Sequence, residues 1–236
     1  MTSRATDLDV FYQHLRELER TCGGSRRLDE CDGRMGWPRR GVYFFFEPGE
    51  LREDGVTPRV AHVGTHGLRP SRATLWKRLS QHKGPSGGAM SGGGNHRGSI
   101  FRLHVGRALL SREPTWSAGI RASWGVGSTA DPAVREQEFP LERAVSEHIR
   151  VMPFLWLEVD DPPGPTSDRG RIKAGAIALL SNFDRPVCDG PSEGWLGNDG
   201  SPTIRESGLW NVDHVDEVPD PAFLDLLESH LKRQSP

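Results

Sequence analysis

An α+β fold in one domain is predicted for this chain of 236 residues by three observations. Apolar residues recur at helical 3–4 spacing near both ends and in the middle. Short aromatic and β-branched runs, bounded by turn residues, stand between those stretches. No internal repeat or linker divides the chain, so helices and sheet share one unit. Hydrophobic content of 35% and charge of 26% fit a water-exposed globular protein. No apolar run approaches the roughly 20 residues of a membrane span. Met1–Asp9 lacks the apolar core of a secretory signal. Cys22, Cys31 and Cys188 form no C-x-x-C pair and read as reduced thiols rather than disulfides or a zinc site. A cytoplasmic, membrane-free protein is expected.

The elements follow in order. Asp7–Arg20 places Leu8, Phe11, Leu15 and Leu18 on one helical face, with Thr6 as N-cap. Cys22–Arg40 is a polar connection rich in Gly and Arg. Gly41–Glu47 and Arg59–Gly64 read as strands joined through a turn-rich loop, hence a hairpin. Ser71–Lys83 reads as a helix with Leu75 and Leu79 inward and Gly84 as its stop. Gly84–Gly98, with seven glycines and two serines, reads as a flexible loop. Ser99–Gly106 alternates apolar and polar residues, which predicts a third strand. A helix is predicted over Pro140–Val151 with proline in its first turn, then a strand over Pro153–Val159. Helices over Arg169–Phe183 and Pro221–Arg233 complete the chain. Trp210 is expected in the core, and Asp213, Asp216, Glu217 and Asp220 on a solvated surface.

The charge is unevenly spread. Arg59–Arg112 holds ten Lys or Arg, no Asp or Glu, and five of the nine histidines (His62, His66, His82, His96 and His104). The remainder carries twenty basic against thirty-two acidic residues. Like charges in one stretch repel unless a partner neutralises them, and nucleic acid is the commonest polyanion that does so. Within this block Arg78 and His82 stand four residues apart, on one face of their helix. Arginine offers a planar fork to phosphate oxygens, and histidine exchanges a proton near neutral pH. A solvated helix face would show the same spacing; Tyr43 and His62, on the two strands leading into this helix, favour chemistry.

Gly41-Val42-Tyr43, His62-Val63-Gly64, and Arg78 with His82 together resemble the core of the GIY-YIG nuclease superfamily. Val stands for Ile in the first motif, and His62 stands where tyrosine is usual. The resemblance covers a core of about 41–183 within a single domain 1–236. An N-terminal helix of about 7–20 and a C-terminal extension of about 184–236 are additions to it. It implies a small antiparallel sheet flanked by helices and a metal-dependent DNA endonuclease of restriction or host-defence type. The cofactor would be one Mg²⁺ or Mn²⁺ per active site. Tyr43 would be the general base or orient the water, with His62 supporting it. Arg78 would hold the scissile phosphate, and His82 would bond a phosphate or the base. Double-stranded DNA would be the partner, and cutting both strands with one site per chain would call for a homodimer or successive nicks. Lys83, Asn95, Arg97, Ser99, Arg102 and Asn182 are the candidate DNA contacts.

The pattern breaks at the metal ligand. Where the family places a glutamate on a later helix, this chain has Lys173, and an ammonium cannot ligate Mg²⁺. Three readings stand at this point: Glu147 or Glu142 is the ligand instead, the chain is a non-cleaving nucleic-acid-binding relative, or Lys173 is a disarming charge reversal.

Overall fold

The first helix, α1 (Arg4–Cys22), begins ahead of Asp7 because Ser3 and not Thr6 caps it. The Ser3 hydroxyl accepts a hydrogen bond from the Thr6 amide at 3.2 Å. The computed structural model describes residues 3–164 and 166–234. After α1, the polar connection supplies a two-residue strand, β1 (Arg26–Arg27). Strands β2 (Gly41–Leu51) and β3 (Pro58–Thr65) form the expected antiparallel hairpin. Strand β4 (Pro153–Glu158) pairs with the other edge of β2, giving the order β1-β4-β2-β3, antiparallel throughout.

Alternation along β2 decides what lies on each face of this sheet. Val42, Phe44 and Phe46 enter one core with α1, α6 (Asp168–Leu180) and α8 (Ala222–Gln234). Tyr43 and Phe45 enter a second core with α2 (Leu75–Lys83), α3 (Ile100–Arg112) and α5 (Pro132–Arg150). Two six-residue helices, α4 (Ala118–Ser123) and α7 (Pro202–Ser207), fill the periphery. The architecture is thus an α+β fold with a small antiparallel sheet between helical layers. No helix among the described residues is long and apolar enough to cross a membrane.

Three further elements differ from the sequence reading. Ser99–Gly106 is not a strand: Ser99 is the N-cap of α3, its hydroxyl accepting from the Arg102 amide at 3.3 Å. Phe101, Arg102, His104, Val105 and Ala108 are all buried, so the helix has protein on several sides. A helix enclosed this way loses its single apolar stripe, and chance alternation then imitates a strand. Pro140 does not open its helix either; α5 starts at Pro132 and carries Pro140 inside. Helix α2 starts at Leu75 instead of Ser71, with Thr74 accepting from the Lys77 amide at 3.2 Å.

The glycine-rich loop is anchored from beneath by α5. Glu142 accepts from the His96 amide at 2.6 Å, from His96 Nδ1 at 2.9 Å and from Arg102 Nε at 3.1 Å. His96 Nε2 accepts from the Gly125 amide at 3.0 Å, so its single proton sits on Nδ1 and points at Glu142. The His96 ring stacks on Trp124 at 3.8 Å. Arg102 Nη1 donates to the His82 carbonyl at 2.7 Å, which links α3 to the end of α2. Burial alone would raise the Glu142 carboxyl, but these donors hold it below its ordinary value.

The acid-free block is therefore partly internal. Arg59 pairs with Glu50 at 3.0 Å, Arg97 with Glu138 at 2.6 Å and Arg112 with Asp199 at 2.6 Å, while Arg102 pairs with Glu142. Each carboxylate comes from outside the block.

Glu142→Ala should lower unfolding free energy by about 3–5 kcal/mol in urea denaturation, because it strands a buried guanidinium; a loss under 1 kcal/mol would show the network to be dispensable. Stability should also depend on acid. Burial, with Arg169 beside His66 and Arg107 beside His104, lowers both imidazoles to about 4. The unfolded chain binds these protons near pH 6.5 and the folded one only near 4, so stability falls as pH drops through that window. Tm should decrease between pH 7 and 5, and His104→Gln should flatten the slope; a Tm unchanged over that range would contradict the assignment.

Candidate active site

Tyr43 and His62 are brought together by register. In the β2–β3 ladder Tyr43 lies opposite Gly64 and Phe45 opposite His62, so these residues share the sheet face toward α2 and α3. The next pairing is Phe46 with Val60, which leaves Ala61 as an extra residue in β3. A Cβ on Gly64 would overlap the Tyr43 ring and hydroxyl, and a Cβ on Gly41 would overlap the Leu157 carbonyl. Both motif glycines are thus required by close approach.

Behind Tyr43 lies a chain of buried polar groups. Its hydroxyl is 2.8 Å from His82 Nε2, and His82 Nδ1 is 2.9 Å from the Ser99 hydroxyl. His82 is fully buried, and burial, reinforced by Arg78, holds its imidazole well below the ordinary value. It is neutral at pH 7. Burial raises the Tyr43 phenol, and the Arg78 guanidinium works against that rise. The His62 ring stacks on Phe101 at 4.1 Å and is also held neutral, first by burial and then by Arg78 and Lys173.

Tyr43, His62, Arg78 and Lys173 line one small cleft of about 90 Å³ at the free edge of β3. Arg78 reaches it from α2 and Lys173 from α6, which packs on the opposite face of the sheet. The third wall comes from the C-terminal extension. The Trp210 amide donates to the Ala61 carbonyl at 2.8 Å. The Asn211 side chain accepts from the Val63 amide at 2.9 Å and donates to the Val63 carbonyl at 2.8 Å. Asn211 so imitates a neighbouring strand and covers the exposed edge. Trp210 is buried as expected, bonding Glu47 through its indole N–H at 2.8 Å. Asp213, expected on a surface away from the site, lines the cleft.

Other sequence candidates serve the fold. Arg102 is fully buried against Glu142, and Arg97 is spent on Glu138, so neither presents a free donor to DNA. Ser99 holds His82, and Asn95 accepts from the Arg97 amide at 3.1 Å in the turn before α3. Lys83 donates to the Cys31 carbonyl at 2.6 Å. Asn182 accepts from Arg4 at 2.9 Å and from the Cys188 amide at 2.9 Å, beyond the end of α6 and away from the cleft. Asn211 and Asp213 were not legible as site residues, since nothing in a sequence marks an irregular segment that docks on a strand edge, and Phe101 was missed because its helix reads as a strand.

The donor set does not suit a divalent cation. Mg²⁺ and Mn²⁺ require oxygen ligands, yet among the described residues Asp213 is the only carboxylate lining the cleft, and Lys173 and Arg78 add positive charge. Neither fallback ligand helps: Glu142 is committed to Arg102 and His96, and Glu147 is exposed beside Arg143 at 3.6 Å. Among the described residues no group of three or more His, Cys, Asp or Glu could hold a metal ion.

A family model described as a GIY-YIG domain matches residues 2–236. No curated protein and no solved structure matches the chain.

Gly64→Ala should displace Tyr43 and cost about 1–3 kcal/mol through overpacking, read by urea denaturation. An unchanged midpoint would mean that the ring can move aside freely.

Proposed function

The chain belongs to the GIY-YIG domain family, whose members are nucleases, and from that premise we propose that it is an endonuclease hydrolysing phosphodiester bonds of double-stranded DNA. The convergence of Tyr43, His62 and Arg78 on one cleft carries this reading. Hydrolysis needs a bond from a water oxygen to phosphorus, rupture of the bond to the sugar oxygen, and removal of the water's proton. The Tyr43 hydroxyl is the group placed to take that proton, passing its own to His82 Nε2. His82 Nδ1–H then donates to Ser99 Oγ, and the leaving sugar oxygen takes a proton from solvent. The neutral state of His82 suits an acceptor, and its depressed basicity makes the relay a slow one.

Arg78 supplies charge where the phosphorane develops it. Its Nη1 donates to the Gly98 carbonyl at 2.9 Å and to Gln81 at 3.1 Å, which orients the guanidinium without neutralising it. His62, stacked and uncharged, shapes the cleft next to Tyr43. One cleft per chain would make double-strand cutting the work of a homodimer or of two successive nicks. A restriction or host-defence role would draw its sequence choice from insertions such as the loop at 84–98. Lys173, in place of the family's carboxylate, favours a second reading in which the cleft binds a phosphate without cleaving it.

Tyr43→Phe keeps the ring packing and removes only the relay hydroxyl. It should reduce plasmid cleavage by about 10²–10⁴-fold while duplex affinity changes less than about threefold. Arg78→Ala should lower cleavage by about 10²–10³-fold, more than it lowers binding. A Tyr43→Phe protein as active as the unaltered chain would refute the relay, and duplex binding insensitive to salt would refute the DNA reading.

A further inference from the structure

We propose that Lys173 is the resident cation of this cleft, holding the scissile phosphate together with Arg78 so that the chain engages and cleaves its phosphodiester without a divalent ion. The inference rests on the nuclease reading for its substrate, and on the cleft alone for its charge.

GIY-YIG nucleases generally depend on a divalent metal, which brings two positive charges to a phosphate approaching a dianionic transition state. Here the same number of charges is built into the protein. Arg78 and Lys173 enter the cleft from helices on opposite sides of the sheet, and the uncharged Tyr43 and His62 line the same cleft. Among the described residues neither cation forms an ion pair, although Arg59, Arg97, Arg102 and Arg112 of the acid-free block all do. Among the described residues the buried Arg78 Nε has no hydrogen-bond partner of good geometry, although the guanidinium lies close enough to the Tyr43 hydroxyl to interact with it. An unsatisfied buried guanidinium N–H costs free energy until an acceptor reaches it, and a phosphate oxygen in the cleft is such an acceptor.

Lys173 is also poorly placed for any other duty. It is partly buried, and burial, with the nearby Arg78 charge, pushes its ammonium pKa down, while Asp213 and Glu217 pull it back up. Asp213 sits exposed at the rim and leaves the interior cationic. A solvated surface lysine would occupy water instead, and a lysine meant for packing would have found a carboxylate as its partner. A fixed ammonium supplies charge and a hydrogen bond, but it does not acidify water as a bound metal does. Deprotonation is left to Tyr43 and His82, so cleavage should be slow and indifferent to chelators.

The experiment uses the full chain and a fluorescent DNA duplex, with binding followed by anisotropy and nicking by gel, each in EDTA and in Mg²⁺ or Mn²⁺. The unaltered chain should bind and nick in EDTA at a rate within about twofold of that with metal. Lys173→Met should raise Kd about tenfold in EDTA, reduce the slope of log K against log salt by about 1, and lower nicking by about 10²-fold. Lys173→Arg should retain binding, and equal thermal melts would exclude misfolding. Cleavage that appears only on adding metal overturns this inference and leaves the nuclease reading intact. Binding in EDTA that is unchanged by Lys173→Met also overturns it. Lys173-dependent binding in EDTA, with no cleavage under any condition, supports the phosphate clamp and overturns the nuclease reading.

Discussion

The carboxylate of Glu142 is the constraint on which the candidate site depends. It is buried in the second core, where an unpaired charge would be untenable, and it recruits His96 and Arg102 to satisfy it. Arg102 in turn reaches the His82 carbonyl, and Ser99, the cap of the helix carrying Arg102, holds the His82 ring. His82 meets the Tyr43 hydroxyl. One anion on α5 thereby sets the register of α2 against α3, and that register positions a phenol at a strand edge. Networks of this kind are cooperative because each member's orientation is the next member's partner.

The same logic separates structural from functional charge. The stretch from Arg59 to Arg112 looks uniformly poised for a polyanion, since it has no acid of its own. The fold brings carboxylates to it from β2, α5 and the segment before α7, and the arginines so paired lock elements together. Of the block's cations that form no ion pair among the described residues, Arg78 is the one that lines the cleft with Lys173. Uncompensated charge at a concave surface attracts an anion more strongly than the same charge on an open face, because the low-dielectric walls screen it less. Pairing, more than composition, thus marks which cations are available to a ligand.

Much of the site was legible in the sequence for a local reason. Tyr43, His62, Arg78 and His82 lie on a hairpin and the helix after it, elements whose period and punctuation read clearly from glycine, β-branched residues and a C-terminal glycine stop. The proposed DNA contacts fared differently. Arg97, Ser99 and Arg102 sit in a stretch read as loop and strand, and the helix there buries residues on several sides, which removes the periodicity that would identify it. Their donors turn inward because Glu138, Glu142 and His82 happen to lie across the chain. The position of Lys173 on a helix near the site was implied by the resemblance, which puts the family's glutamate on a later helix, but its surroundings were not.

By itself the sequence determined the α+β class, the order of the central hairpin and its helix, and the identity of the four polar side chains that resemble a nuclease core. These are properties of short windows, in which spacing and turn chemistry suffice. The tertiary structure alone decided which cations remain unpaired, that Asn211 and Asp213 wall the cleft, and that the residues there do not suit a divalent metal. Most of those outcomes depend on contacts between segments far apart in the chain, such as Asn211 with Val63, 148 residues away, or Lys173 and Arg78 lining one cleft. No local pattern encodes such a contact, because it exists only once both cores have closed on the sheet.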